Sequence, residues 1–419
     1  MFATMPAKPN SPTTLPCSWF VTVGWSKSVR KPEMVKRLFR WLLAGVAFLA
    51  LGVVPVTAAD TQRFSTAPKA KAQGKWRIGY YEGGQYPDYE VILKAVVRGL
   101  IELKWMNPLE MSADNNPAPG GFWNYLANNA VSNYLEFVPD GYYNAGNFDP
   151  KLRPEVRERL IKRLAEQGDI DLMIAMGTWA GQDLANDRHH VATVVASTSD
   201  PIGSGIVKSA EDSGLNHLHA KVEPDRYARQ IELFHDIIRF HRLGVVFEDT
   251  PEGRTYAAVD AIERTAAARG FEVVRCTAPF SGVAQEEAES RLTVCYEQIA
   301  ATADAVYLTV HRGLNAQSLP RVVAALVAAQ RPSFSMLGES EVKRGVLMSV
   351  AQGNYSYVGH FHAETLARIF NGAQPRALSQ VWLAPAKIAL NLKTTELIGY
   401  NPPVDILLAC DEIYPTIEP

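Results

Sequence analysis

The sequence has no surplus of charge of either sign: 42 Lys and Arg face 44 Asp and Glu, for a formal net charge of −2. A chain that neutralised nucleic-acid phosphates would need a basic face, so no nucleic-acid partner is expected. Cysteine is scarce, at 4 of 419 residues, and none falls in a C-x-x-C pair. The chain has neither a G-x-S-x-G elbow nor a P-loop, which leaves two common kinds of hydrolytic chemistry without their signatures. GSGIVK at 203–208 lacks the third glycine of a dinucleotide loop and follows Asp200-Pro201; it reads as the start of a helix. His217 and His219, like His360 and His362, are two residues apart, a spacing that on a helix does not aim two rings at one metal. The second pair reads as solvated or half-buried, and His189-His190 as a surface turn. No catalytic residue, metal or cofactor is expected. What remains is ordinary globular composition, 47% hydrophobic and 21% charged.

One long apolar run is present. Lys36, Arg37 and Arg40 precede the uncharged stretch from Trp41 to Val54, Pro55 breaks it, and Val56-Thr57-Ala58-Ala59 supplies small residues. This is the pattern of a secretory signal cleaved after Ala58 or Ala59; an uncleaved anchor is the alternative, because the stretch is about long enough to span a membrane. Residues 1–33 read as an over-extended start, 34–59 as the signal and 60–74 as a polar linker. Export implies a periplasmic, oxidising location. A Cys276–Cys295 bridge is compatible with that, as are separate buried thiols, and the odd count after the signal leaves at least one thiol unpaired.

From Lys75 onward, apolar strands alternate with helical stretches. KWRIGYY, LEFVPD, DLMIAMG and VATVVAS read as strands, with helices near 89–105 and after Pro154. The segment 106–133, which includes Gly120-Gly121-Phe122-Trp123, reads as an irregular excursion with a short helix. After Asp200-Pro201 the pattern restarts. PDRYARQIELFHDIIRF is a helix, LGVVF, FEVVR, AVYLTV, PSFSML and VLMSVAQ are strands, and PAKIALNLKTTELIG is a strand with a short helix. Alternation of this kind builds parallel sheets covered by helices. The expected fold is α/β, with two Rossmann-like lobes: 75–198 with 353–380, and 199–352 with 381–419. The hinge is expected near Ser197–Ile202 and Ser349–Tyr355.

Ligands of open α/β sheets bind beyond the carboxyl ends of the strands. That rule nominates Glu82, Tyr86, Thr178, Trp179 and Thr198 in the first unit, and Glu248, Thr309, His311 and Glu339 in the second. Carboxylates, hydroxyls and aromatic rings at such ends suit a small polar ligand with an aromatic wall.

SDPIGSGIVKSAEDSGLNHLHA, LGVVFEDTPEGRTY, DAVYLTV, RPSFSMLGESEVKRGVLMSVAQGNYSYVG and PAKIALNLKTTELIG resemble, in that order, the ABC-transporter substrate-binding family of the tryptophan/tyrosine-binding type. The resemblance runs from about Lys75 to the C-terminus and is vague over 85–135. It implies a type I periplasmic-binding fold joined by a multi-strand hinge, a monomer that hands a small molecule to an inner-membrane ABC permease, and no enzymatic activity. The same fold could instead present its ligand to a receptor or two-component kinase; a periplasmic enzyme is the third reading, and it lacks a nucleophile–base pair. Two departures bear on the ligand. Asn354 stands before Tyr355 where the family usually has Asp, which makes Asn354 a further candidate contact. Thr309-Val310-His311-Arg312 replaces a loop that often carries Thr-Asp-Asn. Losing acids and gaining an Arg turns the expectation from an amine toward an acidic or neutral ligand.

Overall fold

A computed structural model describes residues 64–111, 118–352, 355–383 and 386–419. The expected signal segment and Asn354 lie outside the described residues.

The chain first lays down β1 (Trp76–Glu82), α1 (Pro87–Glu102), α2 (Gly121–Asn129), β2 (Leu135–Asn144), α3 (Arg153–Glu166), β3 (Leu172–Met176), α4 (Gly177–Leu184), β4 (Ala192–Ala196) and β5 (Leu218–Ala220). The second run is α5 (Arg226–Ile238), β6 (Arg242–Phe247), α6 (Pro251–Tyr256), α7 (Val259–Arg269), β7 (Glu272–Thr277), α8 (Gln285–Thr302), β8 (Ala305–Leu308), α9 (Leu319–Ala328), β9 (Ser333–Ser335), α10 (Glu339–Lys343) and β10 (Met348–Gln352). Then come α11 (Ser356–Phe370), β11 (Ala386–Asn391), α12 (Leu392–Leu397), α13 (Val404–Ala409) and β12 (Glu412–Tyr414).

Two sheets result, ordered β2-β1-β3-β4-β5 and β12-β11-β10-β9-β8-β6-β7. The first is parallel throughout, and the second is parallel except where β10 meets β11. The central strands are continuously apolar because helices cover both faces. β3, LMIAM, is buried along its whole length. In β6 the period of two divides the core: Leu243, Val245 and Phe247 join one cluster while Val246 joins another on the opposite face. The first sheet has a separate core, into which α11 returns Leu366 and Phe370. Separate cores make these two lobes. Each fully buried aliphatic or aromatic side chain in them contributes about 1.5–3 kcal/mol.

Two of the crossings between the lobes, after β5 and before β11, pair with each other. Val222 bridges Val381, its amide donates to the Gln380 carbonyl at 2.8 Å, and Trp382 donates back to Val222 at 2.9 Å. The first sheet therefore takes in β5 before the chain leaves it, past the crossing expected near 198. The reason lies in 201–217, which forms no helix at GSGIVK. Asp200 accepts from the amides of Ile202 and Gly203, and Gly205 and Gly214 take positive φ, so the segment turns back to the sheet edge. Cys276 and Cys295 are joined, with Cα atoms 5.5 Å apart, and fasten α8 to the edge strand β7; Cys410 is free. His189, expected on a surface turn, is buried against His217, and His362 is buried while His360 is half-exposed beside Glu102 and Glu364. Among the described residues no helix is long and apolar enough to cross a membrane.

Candidate functional site

Because the strands of each sheet run parallel, their carboxyl ends collect on one side, and these two sides face each other across a cavity. The first lobe contributes Tyr86 beyond β1, Thr178 beyond β3 and Ser197–Ser199 beyond β4. The second contributes Val310 and Arg312 beyond β8, and Met336 and Leu337 beyond β9. Lys221, Arg226 and Tyr227 enter from the first crossing, Tyr355 from the segment leading into α11. The cavity measures about 100 Å³, several times the roughly 15 Å³ that one water needs.

Local chemistry explains why these groups point inward. Pro87 opens α1 where its missing N–H costs nothing, which puts Asp88 in the first turn at the cavity. Gly177 has φ +85°, and a Cβ there would strike the Tyr89 hydroxyl. Glycine thus lets α4 start tightly against Tyr89 and turns Thr178 toward the ligand space. Ser197, at φ +57°, turns the β4 end so that Thr198 and Ser199 also face it. The Thr198 hydroxyl oxygen is buried and has no hydrogen-bond partner among the described residues. A buried hydroxyl left so costs free energy that a ligand can recover.

The lobes touch around the cavity. Tyr227 donates from its hydroxyl to the Ser199 carbonyl at 3.2 Å, and Gly282 donates from its amide to the Phe148 carbonyl at 3.3 Å. The aromatic wall includes Tyr86 and Tyr89, edge to face with centroids 5.3 Å apart, together with Phe148, Tyr256 and Phe280.

The charged groups lean positive. Burial pushes the Lys221 ammonium down to about 8, the Arg226 charge adds to this, and Glu223 opposes it. Glu223 lies 3.7 Å from Lys221 and 3.9 Å from both Arg226 and Arg229. These are ion pairs too long for hydrogen bonds. Arg312 is buried; its Nη2 donates to the carbonyls of Phe280 and Val283 at 2.5 and 2.6 Å. Asp88 is the acid on the other side. Burial raises its pKa, against a hydrogen bond from Tyr355 and the charge of Arg226.

Of the residues nominated from sequence, Tyr86, Thr178 and Thr198 line this cavity. The others sit elsewhere. Glu82 accepts from the Tyr80 and Tyr142 hydroxyls at 2.8 and 2.6 Å, and from Asn144 at 3.0 Å, in a neighbouring chamber. Trp179 packs edge to face on Phe148, with the Arg153 guanidinium 4.6 Å from its ring centroid. Glu248 accepts from the amides of Phe280 and Ser281 at 2.8 and 2.7 Å, and from the Ser281 hydroxyl at 2.7 Å. Thr309 donates to the Val246 carbonyl, and His311 bonds the Ala278 carbonyl at 2.8 Å and the Gly313 amide at 2.9 Å. Glu339 pairs with Lys343 on α10, away from the cavity. Sequence reasoning passed over Asp88, Lys221, Arg226, Tyr227 and Tyr355. The signal available was the charged run Lys221-Val222-Glu223-Pro224-Asp225-Arg226, set between an apolar strand and a helix.

Two parallel-sheet lobes, paired crossings and a cavity between facing strand ends define the class of type I periplasmic-binding folds. Solved structures agree at the level of fold. A conserved domain protein of Vibrio cholerae is 18% identical with a TM-score of 0.60, over 80% of this chain and 99% of that one. The ABC domain of Streptococcus pneumonia in complex with L-Trp is 18% identical with a TM-score of 0.60, over 81% of this chain and 100% of that one. A ligand-free, open substrate binding protein with adhesive properties from Clostridium difficile is 18% identical with a TM-score of 0.51, over 81% of this chain and 99% of that one. No curated protein matches the chain. Residues 154–413, more than half of the sequence, match the family of ABC transporter substrate binding proteins, and the chain belongs to that family. It is a solute-binding protein, and the family is of a substrate-binding, non-enzymatic type.

Proposed function

We propose that the protein is exported to the periplasm, works as a monomer, and delivers a small carboxylate-bearing solute, an amino acid or related organic acid, to an inner-membrane permease without altering it. The observation that carries the ligand class is the pair of buried cations, Lys221 and Arg226, at the cavity. Glu223 stands 3.7 Å from the Lys221 ammonium, beyond a direct hydrogen bond. A carboxylate entering beside Lys221 would gain a charge-assisted hydrogen bond from its ammonium, in the positive field that Arg226 adds. The Thr198 hydroxyl and the Asp88–Tyr355 pair supply neutral or weakly acidic partners for the rest of the solute, and the aromatic wall covers its apolar body.

Closure follows from where the groups sit. Thr178 and Thr198 belong to the first lobe, Arg312 to the second, and Lys221 and Arg226 to the crossing itself. A solute that touches all three adds to the direct contacts between the lobes, and the closed shape is what a permease would select. The test is a thermal-shift screen with amino acids, organic acids and nucleosides, since a ligand of the folded state raises its melting temperature. Amino acids or organic acids should raise it. A shift with nucleosides or other uncharged solutes alone would reject the carboxylate reading.

A further inference from the structure

A second chamber adjoins the cavity and is lined in part by Ala118 and Gly120–Trp123. It measures about 980 Å³ and shares Tyr86, Tyr89 and Arg312 with the inner cavity. Its back wall is an aromatic stack. Trp123 lies on Tyr80 with centroids 5.5 Å apart, and Tyr80 on Tyr142 at 5.9 Å. Gly120, at φ +70°, makes the stack fit, because a Cβ there would come within 2.7 Å of the Tyr142 ring. Trp123 is fixed by its indole N–H, which donates to the Val138 carbonyl at 3.0 Å.

The charge of this chamber is opposite to that of the inner cavity. Glu82, Glu90, Glu286 and Glu289 line it, against Lys94 and Arg312. Lys94 pairs with Glu90 at 2.6 Å, and the Arg312 Nη2 is taken up by backbone carbonyls. Glu82, only 6% exposed, receives three neutral donors and forms no ion pair with any cation among the described residues. Buried carboxylates are ordinarily paired, and one without a cation beside a cavity marks where a cation gains most. Burial raises its pKa, against the hydrogen bonds from Tyr142, Tyr80 and Asn144. The chamber already seats one ammonium on an aromatic ring: Lys94 Nζ lies 5.1 Å from the Phe122 centroid.

We propose that this chamber is a second ligand compartment that takes the ammonium group of a small organic cation, with Glu82 as counter-charge and the Trp123–Tyr80–Tyr142 stack as its wall. The proposal does not depend on what the inner cavity binds. The experiment is calorimetric titration of the full chain at low salt with choline, putrescine and tetramethylammonium, and with benzoate as a separate probe of the inner cavity. At least one cation should bind, and saturating benzoate should not displace it. Glu82→Gln should weaken that cation about tenfold, and the rim double variant Glu286→Gln/Glu289→Gln about threefold, in keeping with one close and two distant charges. Should Glu82→Gln fail to fold, the rim variant decides. The proposal is overturned if no cation binds, if benzoate displaces it, or if the folded variants keep wild-type affinity. A failure of benzoate to bind would count against the carboxylate reading of the inner cavity and leave this test intact.

Discussion

The two lobes use their strand ends differently. In the first, three of the nominated side chains, Tyr86, Thr178 and Thr198, reach the cavity. In the second, Glu248, Thr309 and His311 are all buried, yet each is spent on backbone groups of its own lobe. The second lobe's ligand-facing polarity comes from Arg312 and from the crossing that carries Lys221 and Arg226. A polar residue at a strand end can thus hold a loop or face a ligand. Hydrogen bonds spent on the backbone of the residue's own lobe mark the first use, and an unsatisfied or loosely paired group at the cavity marks the second.

Four substitutions and one pH series would break or sharpen that contrast. The largest effect is expected at Trp179, a first-lobe residue that behaves like those of the second. It is buried on Phe148 and Arg153, so Trp179→Ala should cost about 3–5 kcal/mol of stability in denaturant unfolding while ligand affinity changes little. Lost affinity at unchanged stability would place the ring in the site. Next comes Glu248→Ala, which strips three hydrogen bonds from the Phe280–Ser281 loop. Unfolding should be easier by about 2–3 kcal/mol, and a variant as stable as the parent would remove the loop-holding role.

Lys221→Met should act on binding. A carboxylate ligand should bind about ten- to a hundredfold more weakly, as expected for one charged hydrogen bond of about 1.5–3 kcal/mol. In the parent protein, affinity should also fall as pH rises through about 8, where Lys221 gives up its proton; an affinity flat to pH 9.5 would take Lys221 out of the contact set. The smallest effect belongs to Thr198→Val. Removing an unsatisfied hydroxyl should leave stability the same or slightly higher, and weaken the ligand by about 0.5–1.5 kcal/mol in calorimetry. A stability loss would show that the hydroxyl is held by the protein after all.

Much of the architecture was legible beforehand. The strands around Ile78, Ile174, Val194 and Val245, and the helix carrying Tyr227, Ile231 and Phe234, follow from local apolar period. The crossing was placed too early because Asp200-Pro201 looks like a boundary; the return of 201–217 to form β5 depends on pairing with β4, a partner distant in sequence. The same holds for the helix expected at GSGIVK, where Asp200 caps turns instead. The sequence reading of His362 as solvated or half-buried misses its burial, which depends on α11 coming back onto the first lobe.

Period, composition and the run of βα units belong to the sequence alone, since each is set by residues within a few positions of one another. With them came two lobes, the direction in which the strand ends point, and the identity of several residues there. The allotment of those residues between loop and ligand was decided only in three dimensions. Glu248 finds donor amides at Phe280 and Ser281, and Lys221 has its carboxylate neighbour Glu223 at 3.7 Å, because folding places distant segments beside one and leaves a cavity beside the other.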